Sequence, residues 1–120
     1  MANDFKRFTV SSVNTSVGAS ASAVYTVPSS GSAMESIVIG ITLANKTSTG
    51  VTASVFLDNY SGSNDVYIVK DATIPAGSSL EVMSGNKIVL QNSGSAGDVV
   101  RVSSGTATAI DATLSVLEDV

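Results

Sequence analysis

The side chains here that could do chemistry are ten carboxylates, six basic groups and a large population of hydroxyls; histidine and cysteine are absent. Without them there is no His-based acid/base pair or triad, no thiol nucleophile and no ordinary zinc site. Carboxylates alone can still hydrolyse a glycoside, one as acid and one as base or nucleophile. The candidates are Asp58, Asp65, Asp71, Glu81, Asp98 and Asp111. Set against that chemistry is the ordinary fate of acidic residues, which is to sit solvated in turns and at strand edges. No Trp and few aromatics are available for a sugar platform, and no long loop is available for a cleft wall. The many serines lack an activating base. No GxxxxGK[ST] or GxGxxG run follows a strand and opens a helix, so no phosphate cradle is built. The expectation is a chain that is not an enzyme, with no catalytic residue and no cofactor.

Two stretches invite a binding role. Asp58-Asn59-Tyr60-Ser61-Gly62-Ser63-Asn64-Asp65 gathers hard oxygen donors of the kind calcium prefers. Its spacing is not that of an EF-hand, and an ordinary polar hairpin loop has the same composition. No metal site is therefore predicted, and Tyr60 stands at the loop tip as a candidate contact residue. The other stretch joins Phe5 and Phe8 to the adjacent basic pair Lys6-Arg7. Residues 1–8 form either an edge strand or an arm docked on a neighbour. In the edge strand, one Phe packs in the core and the basic pair blunts the edge. The edge strand is the expected form.

Composition limits the partners. Charged residues make up 13% and apolar residues 43%, in a chain of 120 residues with net charge −4. The low charge and high apolar content exclude a disordered chain, and Ser and Thr supply the polar surface. Nucleic-acid binding needs clustered Lys and Arg to displace phosphate counterions, and four of the six basic residues are scattered. Anionic membrane surfaces are disfavoured for the same reason. The longest apolar run, Ile37 to Leu43, is too short to span a bilayer. The opening residues lack the apolar core of a signal peptide, which predicts a protein made in a cytoplasm.

The elements that must carry these residues have period two. Ile37, Ile39, Ile41 and Leu43 fall on one face of a run from Glu35 to Asn45, with Val38, Gly40, Thr42 and Ala44 on the other. That pattern predicts a central strand covered on both sides. Gly50 opens a second run with Val51, Ala53, Val55 and Leu57 on one face, and the short link 46–50 predicts a hairpin between the two. Thr108 to Glu118 alternates most cleanly, with Ile110, Ala112, Leu114 and Val116 inward. Shorter strands are predicted at Phe5–Val13, Ala21–Val27, Asp65–Lys70, Leu80–Met83, Lys87–Leu90 and Asp98–Ser103. Turns at Pro28–Gly31, Ser61–Asn64, Pro75–Gly77, Ser84–Asn86 and Asn92–Gly97 separate them. Eight or nine short strands and no strong helix pattern predict one all-β domain over 1–120, an antiparallel β-sandwich of jelly-roll or immunoglobulin type.

Taken in order, several of these motifs are familiar together. Met1-Ala2-Asn3-Asp4-Phe5-Lys6-Arg7-Phe8, Val24-Tyr25-Thr26-Val27-Pro28 and Ile37 to Asn45 resemble small virion structural proteins of tailed bacteriophages. So do Val66–Lys70, Ile74–Leu80, Lys87–Leu90 and Ala112–Glu118. The likeness spans nearly the whole chain and lies in the order of the motifs. It implies a structural role at the head–tail neck or tail, or alternatively as a decoration or cement protein on the capsid exterior. It implies virion localisation, with portal, neck, tail or major capsid proteins and further copies of the chain as partners. It brings no mapped functional residues. The alternative from another class is a carbohydrate-binding module, with calcium or glycan at the 58–65 loop.

Overall fold

A computed structural model describes residues 3–28, 34–60, 65–82, 87–94 and 96–119. Nine strands follow one another: β1 (Asn3–Val10), β2 (Ser22–Thr26), β3 (Met34–Asn45), β4 (Val51–Asp58), β5 (Asp65–Ile74), β6 (Ser79–Glu81), β7 (Ile88–Asn92), β8 (Val99–Ser104) and β9 (Ile110–Asp119). The sole helical feature among the described residues is one 3₁₀ turn, Gly18–Ser20.

The strands form two antiparallel sheets. One runs β1-β9-β3, with β6 and β7 both paired to β3; the other runs β2-β8-β4-β5. β6 lies against Thr42–Ala44 and β7 against Met34–Val38, so the two act as one interrupted strand along β3. The pairings are then nested: first with last, second with second-last, third with third-last, and β4 with β5. This is the wiring of a jelly roll, which decides between the two predicted sandwich types.

The core lies between the sheets. Leu114, Val116, Ala112, Ile110, Val38, Ile41, Leu43 and Leu90 come from the larger sheet, and Val24, Val51, Ala53, Val55, Val100 and Val102 from the smaller. Each Val, Leu or Ile among them contributes on the order of 1.5–3 kcal/mol by leaving water. β9 keeps the predicted alternation throughout, with Ile110, Ala112, Leu114 and Val116 all buried.

Two expectations fail at β3. It makes no hairpin with β4, because the strands belong to different sheets and 46–50 arches across the core's end. Asn45 holds that arch: its Nδ2 donates to Thr49 O (2.8 Å) and Ile74 O (2.9 Å), and its Oδ1 accepts from Thr47 N–H (2.9 Å). The alternation of β3 also changes phase midway. A β-bulge between Val38 and Gly40 inserts one residue opposite β9. Met34, Ser36 and Val38 point inward before it and Ile41, Leu43 and Asn45 after it, leaving Ile37 and Ile39 on the outer face. The four predicted core residues divide, two in and two out. β3 is central, but its outer face is open rather than covered.

Turn chemistry holds where it is described. Gly77 takes φ +66° and Ser78 N–H bonds Pro75 O at 3.1 Å. The turns predicted at Pro28–Gly31, Ser61–Asn64 and Ser84–Asn86 lie largely outside the described residues.

Candidate functional site

The predicted interaction residues separate on folding. β1 is an edge strand, with Lys6, Phe8 and Val10 in register with Val116, Leu114 and Ala112 of β9, all inward. Phe8 packs against the core with its ring 4.7 Å from that of Tyr25. Lys6 is an inward-pointing charge on this edge strand. It turns under the sheet, and its Nζ stands 2.9 Å from Glu118 Oε1. Phe5 and Arg7 face outward, and Phe5 is 78% exposed. Tyr60 lies in the β4–β5 connection, half-buried, with its backbone N–H donating to Asp98 Oδ1 at 3.0 Å.

Glu118 is a feature that sequence reading passed over. The in-facing register of β9 continues past Val116 and carries this carboxylate to 1% exposure. A buried carboxylate must be paired or bonded to be tolerated. Tyr25 OH donates to Oε2 at 2.6 Å and lies 2.7 Å from Ser36 Oγ. Oε1 has the Lys6 ammonium beside it but no directed hydrogen bond. Burial, then the Glu118 bond, holds the Tyr25 phenol well above the usual tyrosine range. The signal was available in the spacing: Glu118 is four residues beyond Leu114 on a period-two strand. Lys6, Tyr25, Ser36 and Glu118 come from four different strands, so the group ties β1, β2, β3 and β9 together.

Of the six candidate carboxylates only Asp71 lines the cleft described below, and the described residues contain no group of three potential metal ligands. Asp58 is held by Arg101, whose Nε donates to Oδ2 at 2.9 Å. Asp98 accepts from the N–H groups of Tyr60 and Gln91, fastening the β4–β5 connection to β7. Asp111 accepts from Lys46 Nζ and Ser12 N–H, both at 2.9 Å, and Lys46 first, then Ser12, lowers its pKa. Of the loop proposed for calcium or glycan, residues 61–64 lie outside the described set.

One cleft, of about 360 Å³, lies against β4, β5 and the end of β8. Thr52, Ser54, Tyr67, Lys70, Asp71 and Ser104 are among its lining residues. Asp71 sits at φ +52° where the β4–β5 register shifts, steadied by its N–H donating to Ser54 Oγ at 2.9 Å. The Tyr67 ring is 41% exposed, with Phe56 at 5.2 Å and Lys70 Nζ at 5.5 Å from its centroid.

The outer face of the larger sheet has a different character. In register across four strands lie Phe5 (β1), Leu117 (β9), Ile37 (β3) and Val89 (β7). Val89 is 57% exposed, and Ile39 extends the patch at 39%. Period-two counting hid this row because it placed Ile37 and Ile39 in the core.

Comparison with known proteins gives no match: no family model, curated protein or solved structure is significantly similar to the chain.

Proposed function

We propose that this chain is a non-enzymatic structural subunit of a tailed-bacteriophage particle, built in at the head–tail neck or the tail. The phage assignment comes from the ordered sequence motifs. The observation that carries the structural role is the apolar row Phe5–Leu117–Ile37–Val89, which lies on an open sheet face. A contiguous apolar surface of that kind marks an interaction site. Asp58, Asp98, Asp111 and Glu118, by contrast, are engaged in holding loops and strands. The jelly-roll wiring supports the reading only by analogy, since viral capsid domains use it and so do lectins. Decoration of the capsid exterior is the other placement within the same role.

Purified particles provide the test. The chain should co-sediment with intact particles through a density gradient and resist removal by high salt. Recovery only in the unsedimented fraction would defeat the proposal.

The cleft favours a second reading, a saccharide-binding module. It gathers hydroxyls, an ammonium and a carboxylate beside one aromatic ring. Titration of the isolated protein with a panel of oligosaccharides decides it, with a saturable signal lost in Asp71→Ala as the supporting result.

A further inference from the structure

The apolar row does not stand alone. On one side of it Glu35 lies opposite Gln91, both exposed. On the other side are Arg7 and Lys87, two residues from Phe5 and Val89 on their strands and also exposed. None of Glu35, Arg7 and Lys87 forms an ion pair among the described residues. Within two residues of the row the open face is thus banded, acidic, apolar and basic; Glu81 on β6 lies farther out, opposite Thr42.

Such a banded face is complementary to itself. A two-fold axis lying in the plane of contact and along the apolar row places the row on its own copy. The same rotation exchanges the two flanks, so the acidic band of each copy meets the basic band of the other. Glu35 then faces the band that holds Lys87 on the neighbouring strand. A two-fold axis along the strands would also superpose apolar rows, but it would set acidic against acidic and basic against basic. Charge complementarity selects the first axis.

The contact is small. The row lies two or three residues from the ends of its strands, so four strands about 4.8 Å apart overlap over roughly 20 Å and give on the order of 400 Å² per partner, the scale of a weak dimer beside the ~800 Å² of a standard interface. Open sheet faces pack at a spacing of about 10 Å with strands nearly aligned, and the two-fold operation leaves them so.

We infer that the outer face of the larger sheet binds a second copy of this chain, face to face, about a two-fold axis running along Phe5–Leu117–Ile37–Val89. This rests on the reading of that face as an interaction surface, and it names the partner. Other proteins of a particle would then be met through the remaining surfaces.

The chain has no cysteine, so engineered ones report cleanly. In the wild-type protein, sedimentation up to about 1 mM should show a concentration-dependent dimer, the range of a small, weak interface. Val89→Asp, at an exposed site, should give a folded monomer with unchanged circular dichroism. Val89→Cys should form a disulfide-linked dimer, because Val89 faces its own copy. Mixed Val89→Cys and Phe5→Cys proteins should give mainly Val89–Val89 and Phe5–Phe5 products. Glu35→Lys should weaken the dimer about fivefold, as two like-charged rim contacts replace two attractive ones. Adding Lys87→Glu should restore it. A wild-type monomer at that concentration, a dimer untouched by Val89→Asp, or preferential Phe5–Val89 crosslinks would each overturn the inference. The particle experiment is independent: a dimer absent from particles would sink the virion reading alone, and a monomeric particle component would sink this inference alone.

Discussion

Replacing Lys6 with Met removes the ammonium 2.9 Å from Glu118 Oε1 and leaves a carboxylate that is 1% exposed. Tyr25 OH still donates to Oε2, so half of the pairing survives. Removing one partner of a buried pair costs about 3–5 kcal/mol. Lys6 is itself 46% exposed, and water already screens its end of the contact. That lowers the expected loss to about 2–3 kcal/mol. For 120 residues the unfolding entropy is about 0.25 kcal/mol per kelvin, so Tm should fall by roughly 8–12 °C. Urea denaturation should show a lower midpoint with an unchanged slope, the mark of a stability change without a change in exposed area. Lys6→Met combined with Glu118→Gln should recover most of the loss, because the neutral amide still accepts from Tyr25 and no charge is left buried. A single variant within about 0.5 kcal/mol of wild type, or a double variant no better than the single, would refute this account of the strand-tying group.

Other outcomes follow from the same geometry. Gly97→Ala would bring a methyl to 2.5 Å from Val27 O and 2.7 Å from Asn92 Nδ2, where Asn92 bonds Val27, and should cost about 2–4 kcal/mol in urea melts. Gly40→Ala, with nothing within 4 Å, should stay within about 0.5 kcal/mol of wild type. The Tyr25 phenol is raised in the fold, so the stability it contributes is complete below the unfolded tyrosine pKa of about 10 and is lost as pH rises beyond it. Alkaline melts should show that loss, and Tyr25→Phe should flatten it. The Asp111 carboxyl is lowered, so its contribution is present above the unfolded pKa of about 3.9 and disappears as pH falls through the folded value. That contribution is at most about 1 kcal/mol at so exposed a site, and Asp111→Asn should remove the corresponding part of the acid slope.

The sandwich was legible because both faces of β9 and the inner face of β4 obey period two, and the turn residues fell between strands. The wiring was not, since register and partner choice depend on contacts far apart in sequence. The β3 bulge was invisible for a related reason: one inserted residue reverses the facing of everything before it, and Ile37 and Ile39 look like core in any window. Its consequence is the apolar row, which sequence reading missed apart from Phe5. Lys6 and Arg7 read as one basic pair, yet alternation sends one to Glu118 and the other to the surface. Glu118 itself was read as the end of a strand motif, although the same alternation that buried Leu114 and Val116 buries it too.

The central claim is that this jelly roll acts through the open face of its larger sheet. A reconstruction of intact particles by electron cryomicroscopy, at a resolution that separates strands, tests it most directly. The account expects the sandwich in the particle with Phe5, Ile37 and Val89 covered, and the neighbouring density to be a second copy related by a two-fold axis. Those three side chains open to solvent, with contacts made elsewhere on the sandwich, would contradict it.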